Sequence, residues 1–376
     1  MSPRLRWLVV LTLIVLGAVV YTVRIRHEMI DFITWRQSAV RALHAEPLYR
    51  PEDGHYQFKY LPMFALVMAP LGAINQDAGK ALWFAISAAL LAALLRWSVV
   101  ALPGRRLTQL ALISITVILM AKFYLHELLL GQTNLLLGVL LVGALLAAQR
   151  DRALTAGALV GAAVFVKPYA LILMPWLLVA KGWRAAATAA SVVAAGLLLP
   201  AVVYGWNGNL DLLRGWLSTV TDSTMPNLLG NDNVSIASMW AKWLGPGSRA
   251  TVLTLVTIVS TGALVIAAWR RRRGVAAPEY LECALLMLLI PLVSPQGWDY
   301  VLLLATPAIV CLVDRWREFP RPWRWGLGLA LALMGLSNFD VMGRELYGRF
   351  MALSVISVCA LIVAVALTHA RWRRLA

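Results

Sequence analysis

Residues 61–102 read LPMFALVMAPLGAINQDAGKALWFAISAALLAALLRWSVVAL. Two apolar blocks flank Asn75-Gln76-Asp77, and the whole stretch must cross a membrane an odd number of times. The second block has the length that a helix needs to traverse a hydrocarbon core, about 20 apolar residues. The first, Leu61–Ile74, is short and contains Pro62 and Pro70. A re-entrant or broken helix is expected there, since protein can cover the backbone groups that the prolines leave free.

Similar apolar blocks recur along the chain. Of its 376 residues 61% are hydrophobic and 14% charged, against ~45–50% and ~25% in a soluble domain. Too few polar residues remain to cover a water-facing surface, and disorder, coiled coil and collagen are excluded on the same grounds. The expected fold is all-α: a polytopic integral membrane protein of about 12 transmembrane helices, forming a single domain over residues 1–376. With little sequence between the blocks, chemistry falls to loops and helix ends.

The net charge is +16, from 34 Lys and Arg against 18 Asp and Glu. More than half of the basic residues lie in short clusters between apolar blocks: Arg4/Arg6, Arg105/Arg106, Arg150/Arg152, Lys181/Arg184, Arg270–Arg273, Arg315/Arg317/Arg321/Arg324 and Arg371/Arg373/Arg374. This is the positive-inside pattern of cytoplasmic loops; a nucleic-acid partner would call for a basic stripe with stacking aromatics, which is missing. Placing the clusters in the cytoplasm turns residues 24–60, 121–134, 205–248 and 294–300 outward, with a smaller outward segment near 337–346. The block 5–23 has no small-x-small cleavage site and reads as a retained anchor, so both termini are expected in the cytoplasm and the protein in the plasma (inner) membrane. Cys283, Cys311 and Cys359 lie within apolar segments without metal-like spacing and read as packing residues.

The outward segments carry the chemistry-bearing residues. The first contains Phe32, Trp35, Ala39 and Leu43 at helical spacing, which suits an interfacial helix over 30–45. Asp31 stands at its start. There it is either an N-terminal cap or, as an isolated carboxylate at the bilayer edge, a general base. Further along come Phe58-Lys59-Tyr60-Leu61-Pro62; Lys122, His126 and Glu127 before Gly131-Gln132-Thr133-Asn134; Lys167-Pro168-Tyr169; and Ser294-Pro295-Gln296-Gly297-Trp298-Asp299-Tyr300. Lysine is costly inside an apolar stretch, so Lys167 is a candidate functional cation, with snorkelling to the interface as the alternative. Gln132 and Asn134 either contact sugar hydroxyls or bridge helices. In the loop 205–248, Asn231, Asp232 and Asn233 read as acceptor contacts or as a turn cluster, while Trp206, Trp216, Trp240 and Trp243 fit an interfacial belt. Trp298 and Asp299 are further candidate contacts, Asp299 being open to a capping role as well.

Taken together and in order, these motifs resemble glycosyltransferase family 87, which has the GT-C fold and includes bacterial α-mannosyltransferases that use polyprenyl-phosphate-mannose. The resemblance runs from Asp31 to about Tyr300. It implies an integral membrane enzyme that moves a hexose, mannose by family, from a polyprenyl-phosphate-sugar donor to a glycan or glycolipid acceptor on the outer face. No His/Glu pair at i, i+4 and no Asp-rich cluster argues for a dedicated metal site, so no cofactor or metal is expected; the expected partners are donor, acceptor and lipid bilayer. The family's loop aspartate corresponds to Asp31 as catalytic base. Lys59, Lys122, His126 and Lys167 are the cations available to the departing phosphate, with Tyr60, Gln132, Asn134, Asn231, Asn233, Trp298 and Asp299 as substrate contacts. One departure is Tyr300, where family members often have His after Trp-Asp; His126 or His55 is available in its place. A transporter or flippase of lipid-linked glycans and a non-catalytic assembly subunit are the competing readings.

Overall fold

The computed structural model describes residue 12, residues 15–54 and residues 56–373. His55, Arg4, Arg6, Arg374 and much of the anchor 5–23 lie outside the described residues; within that anchor, residues 15–23 are helical. The described chain is helical throughout. Its one β-type contact is an isolated antiparallel bridge between Asn233 and Trp298.

The first loop forms α1 (Ile30–Leu43), followed by two short helices, α2 (Pro62–Val67) and α3 (Ala69–Gly72). The apolar block before Asn75 is therefore broken, as its prolines require, and both pieces pack against α1. The crossing itself is α4 (Gln76–Ala101), whose start is capped by the Asn75 side chain accepting from the Asp77 amide at 2.9 Å. Phe32, Trp35 and Ala39 are buried as their spacing predicts, whereas Leu43 is exposed and Ala42 is buried in its stead. Gly72 of α3 backs α1 at Ala39 and Val40, and Leu43 ends the helix beyond that support.

Three helices then shuttle between two polar ends: α5 (Gln109–Leu130), α6 (Asn134–Gln149) and α7 (Ala153–Val166). Thr108 caps α5. The helix ends at Gly131 in the left-handed conformation (φ +68°), which glycine adopts without a Cβ penalty. Lys167 terminates α7 because a residue before proline is driven to extended backbone; its φ and ψ are −148° and 123°. After a 3₁₀ segment (Pro168–Leu173) come α8 (Met174–Lys181), α9 (Trp183–Leu198) and α10 (Ala201–Leu228). The last breaks at Gly205 and lies at 88° to α9, so the predicted outward loop is in fact helical over much of its length. Next follow α11 (Ile236–Leu244), α12 (Ser248–Arg270) and α13 (Glu279–Val293). A second 3₁₀ segment (Asp299–Ala305) leads into α14 (Thr306–Asp314), and then α15 (Arg321–Leu336), α16 (Phe339–Met342), α17 (Arg344–Ala352) and α18 (Val355–Trp372).

The core centres on α13, the second 3₁₀ segment and α14, which are buried over almost every residue, as expected for helices apolar on all sides. By contrast α12 leaves Val252, Leu255, Val256, Val259 and Ile266 exposed. Such a stripe is unfavourable in water and at home against lipid chains. By length and composition four helices can cross a membrane: α4, α5, α12 and α18. The bent pair α9–α10 makes a fifth if counted as one span. The expectation of about twelve crossings is not reached among the described residues, because several apolar blocks are shortened by proline and 3₁₀ breaks. Helices of 14–16 residues such as α6 and α7 reach only about 21–24 Å.

Among the described residues, charged groups of the later basic clusters are tied together by ion pairs and backbone contacts. Lys181 pairs with Asp151 (2.7 Å) and Glu279 (3.5 Å), and Arg272 with Glu282 (3.5 Å). Arg106 pairs with Glu318, Arg315 donates to the Pro103 carbonyl (2.7 Å), and Arg371 to that of Pro278 (2.6 Å). At ~1.5 Å per residue, the 22 residues of α5 carry the chain about 33 Å from Arg106 to the opposite end.

Candidate active site

At that opposite end the start of α1 is fastened to the α5–α6 turn. Met29 adopts a left-handed conformation (φ 36°) and its amide donates to the Leu129 carbonyl at 2.9 Å. The indoles of Trp35 and Trp83 both donate to the Gly131 carbonyl at 3.1 Å, and Trp83 also to that of Gln132 at 3.2 Å. Phe32 lies directly over Gly131, where a Cβ would stand 2.7 Å from the Phe32 Cβ. Asp31 sits in the first turn of α1, but no side chain caps that start. Its carboxyl instead lines a cavity of about 470 Å³.

The cavity draws its walls from six separate parts of the chain. Asp31 and Thr34 come from α1, and Tyr56, Gln57, Lys59 and Tyr60 from the segment before α2. His126 and Gln132 flank the end of α5, while Lys167 and Tyr169 follow α7. Trp216 and Asn227 of α10, Asp232 of the next turn, and Gln296, Trp298 and Tyr300 complete the rim. Each is anchored. The Lys59 ammonium donates to the Gln296 Oε1 at 3.2 Å and its carbonyl accepts from the Trp216 indole at 3.1 Å. Tyr60 stacks on Phe64 and donates to the Gln132 Oε1 at 3.3 Å, and the Gln132 amide donates to the Tyr300 hydroxyl at 3.1 Å. Further out, Arg41 and Asp53 form a two-pronged pair at 2.5 and 2.6 Å that holds the first loop closed.

The electrostatics are uneven. Burial raises the Asp31 carboxyl above the ordinary carboxylate range; hydrogen bonding from Gln132 and the positive charges of Lys167, His126 and Lys59 oppose it. Burial lowers the Lys59 ammonium, with Asp31 pulling the other way. Asp232 is raised by burial first and by the neighbouring Asp299 second. Lys167 faces the cavity and forms no ion pair or side-chain hydrogen bond among the described residues. His126 and Lys122 are both committed to the buried Asp299, at 3.2 and 3.3 Å. Lys122 also donates to the Tyr347 hydroxyl at 2.8 Å.

Of the residues singled out in the sequence, Asp31, Lys59, Tyr60, His126, Gln132, Lys167 and Trp298 line one cavity. Lys122 and Asp299 stand behind His126. Asn134 lies outside, fully buried, with its amide donating to Glu127 at 2.7 Å; Glu127 also accepts from the Leu135 amide at 3.0 Å. Asn233 is likewise spent on the fold, donating to the carbonyls of Asn227 and Pro295 and accepting from the Ser235 amide. Asn231 is exposed, and only its carbonyl is engaged, by Lys242. Of the Asn231, Asp232 and Asn233 cluster only Asp232 lines the cavity. Sequence reasoning passed over Gln296, Tyr169 and Trp216 as site residues. The first two stand inside quoted motifs, so proximity within the motif was the available signal; for Trp216 there was none, as it resembled an interfacial tryptophan.

A concave, largely preorganised site between apolar helices, bearing a carboxylate and cations, defines a membrane-embedded binding or catalytic protein. The sequence profile of glycosyltransferase family 87 matches residues 58–295, and the chain belongs to that family. Searches of curated proteins and of solved structures gave no significant match. The matched residues include those of the cavity from Lys59 to Asp232; Asp31 precedes them, and Gln296, Trp298, Asp299 and Tyr300 follow. Among the described residues no group of three or more His, Cys, Asp or Glu side chains is disposed to hold a metal ion.

Proposed function

We propose that this glycosyltransferase moves a hexose, mannose by family resemblance, from a polyprenyl-phosphate-linked donor to a hydroxyl of a glycan or glycolipid acceptor. The observation that carries the reading is the meeting of the Asp31 carboxyl with the unpaired Lys167 ammonium in one cavity, with Lys59 and His126 beside them. Asp31 takes the acceptor's hydroxyl proton as that oxygen forms its bond to the anomeric carbon. The bond from that carbon to the phosphate oxygen breaks, and its electron pair leaves with the polyprenyl phosphate. A carboxyl raised by burial is a better proton acceptor than one in water. Lys167 and Lys59 stabilise the charge that develops on the departing phosphate, and Gln132, Tyr60 and Tyr300 form the chain of hydrogen bonds that orients the sugar. The aromatic rims of Trp216, Trp298 and Tyr169 offer apolar faces to it.

In this reading the fold is of the GT-C type, the arginine-rich end and both termini face the cytoplasm, and the cavity opens on the outer face of the plasma membrane. The test is transfer of radiolabelled mannose from polyprenyl-phosphate-mannose in membranes, comparing the intact chain with Asp31→Asn at matched abundance. Loss of product by a factor on the order of 10²–10⁴ is expected. Equal product from both would overturn the role of Asp31, and movement of the lipid-linked sugar across vesicles without bond formation would favour a flippase.

A further inference from the structure

A second cavity, about 570 Å³, lies between α4, α6 and α7. It sits at the far end of α6 from the candidate active site, some 24 Å along a helix of 16 residues. Its walls are apolar, chiefly Trp97, Val100, Leu140, Leu146 and Leu159, and three arginines, Arg96, Arg150 and Arg152, edge it. None of the three guanidinium groups has an ion-pair or hydrogen-bond partner among the described residues. The carboxylate nearest in sequence, Asp151, stands between two of them but pairs with Lys181 at 2.7 Å. That carboxylate is thus spent on a neighbouring element.

Arg150 and Arg152 alone would satisfy the ordinary rule that basic residues flank a span. Arg96 does not fit that rule. It is the sole charged residue in 81–101 and lies five residues inside the end of α4, about 7.5 Å in from Ala101. A charge at that depth calls for a partner, and the protein supplies none. The geometry points to an anionic glycerophospholipid of the surrounding leaflet as the occupant: its phosphate is held by Arg96, Arg150 and Arg152, and an acyl chain lies in the groove over Gly143. A zwitterionic lipid would bring its own cation among three unpaired arginines and is disfavoured. This inference rests on the membrane character of the helices and not on the transferase reading.

The test is lipid retention by the full chain, delipidated in detergent and read by native mass spectrometry with phosphatidylglycerol or phosphatidylcholine. The intact chain is expected to retain phosphatidylglycerol preferentially. The triple variant R96Q/R150Q/R152Q should lose that preference, by about fivefold per arginine if each contributes as a surface arginine does. The control R270Q/R273Q/R324Q removes the same charge from the same end outside the groove and should retain it. Gly143→Leu keeps every charge but fills the groove, since a Cβ there already stands 3.4 Å from both Leu159 and Trp97; it should weaken retention severalfold. Thermal unfolding of each variant in detergent separates lost binding from lost fold. Equal loss in the two triple variants, no preference in the intact chain, or displacement by millimolar inorganic phosphate with Gly143→Leu unaffected would each overturn the proposal.

Discussion

Gly131→Ala tests whether the α5–α6 turn positions the candidate base. Gly131 has φ +68° and ψ 37°, a left-handed conformation that costs an L-residue about 1–2 kcal/mol. The added Cβ would also stand 2.7 Å from the Phe32 Cβ and 3.0 Å from the Met29 Cε. The methionine tip can swing away, but the Phe32 Cβ is fixed to the backbone of α1. Reaching ordinary contact takes a shift on the order of 1 Å in the residue that follows Asp31. A displacement of that size at a reacting group costs about 10²-fold in rate, so the transfer rate should fall by about that factor while donor retention changes little. Thermal unfolding in detergent should register the backbone cost separately. Gly104→Ala is the matched control: its φ is also positive (+53°), and a Cβ there meets only the end of Arg315 at 3.5 Å. It should lose comparable stability and keep its activity. Wild-type transfer by Gly131→Ala, or equal loss of transfer in the two variants, would refute the reasoning.

Lys167→Gln removes the unpaired cation. Charge-assisted hydrogen bonds contribute about 1.5–3 kcal/mol, so kcat/KM for the phosphate-linked donor should fall about 10- to 150-fold, and an unchanged value would exclude a phosphate contact. The pH profile gives an independent reading. Asp31 acts as a base only when ionised, so activity should fall as pH drops through its raised pKa, and Lys167→Gln, by removing a charge that holds that pKa down, should move the acid limb to higher pH; a shift to lower pH would contradict the assignment. Because the folded pKa lies above the unfolded one, ionised Asp31 destabilises the fold, and Asp31→Asn should raise the unfolding temperature at neutral pH. Asn134→Ala deprives the buried Glu127 of a donor, costing about 1–3 kcal/mol of stability, and should leave the KM for both substrates unchanged, since Asn134 lies outside the cavity; a raised KM would return it to the site.

Much of the architecture was legible because its signals are local. Apolar blocks, arginine clusters and proline breaks act on the residues beside them, so the helical class, the broken piece before Asn75 and the end of α7 at Lys167-Pro168 follow from short stretches. The number of crossings was not legible: composition reports how apolar a block is, but whether it forms one long helix or a short helix with a 3₁₀ turn depends on the neighbours that satisfy its backbone. The polar residues divide in the same way. Gln132 and Asn134 are two residues apart in one motif, yet one faces the cavity and the other clasps Glu127, because successive positions at a helix start point in different directions.

Asp31 shows the boundary most clearly. Its sequence context, a carboxylate at the head of an amphipathic helix, favours a cap over a base. The choice of surroundings lies with residues far along the chain: Leu129 and Gly131, which fasten the start of α1, and Lys167, whose charge reaches the same cavity. By itself the sequence determined that the chain is a helical membrane protein with its basic residues gathered between apolar blocks, since hydrophobicity and charge act residue by residue. Only the tertiary structure decided which polar groups share a cavity and which are consumed holding the fold together, because hydrogen bonds and ion pairs depend on distances between residues that the chain order leaves far apart.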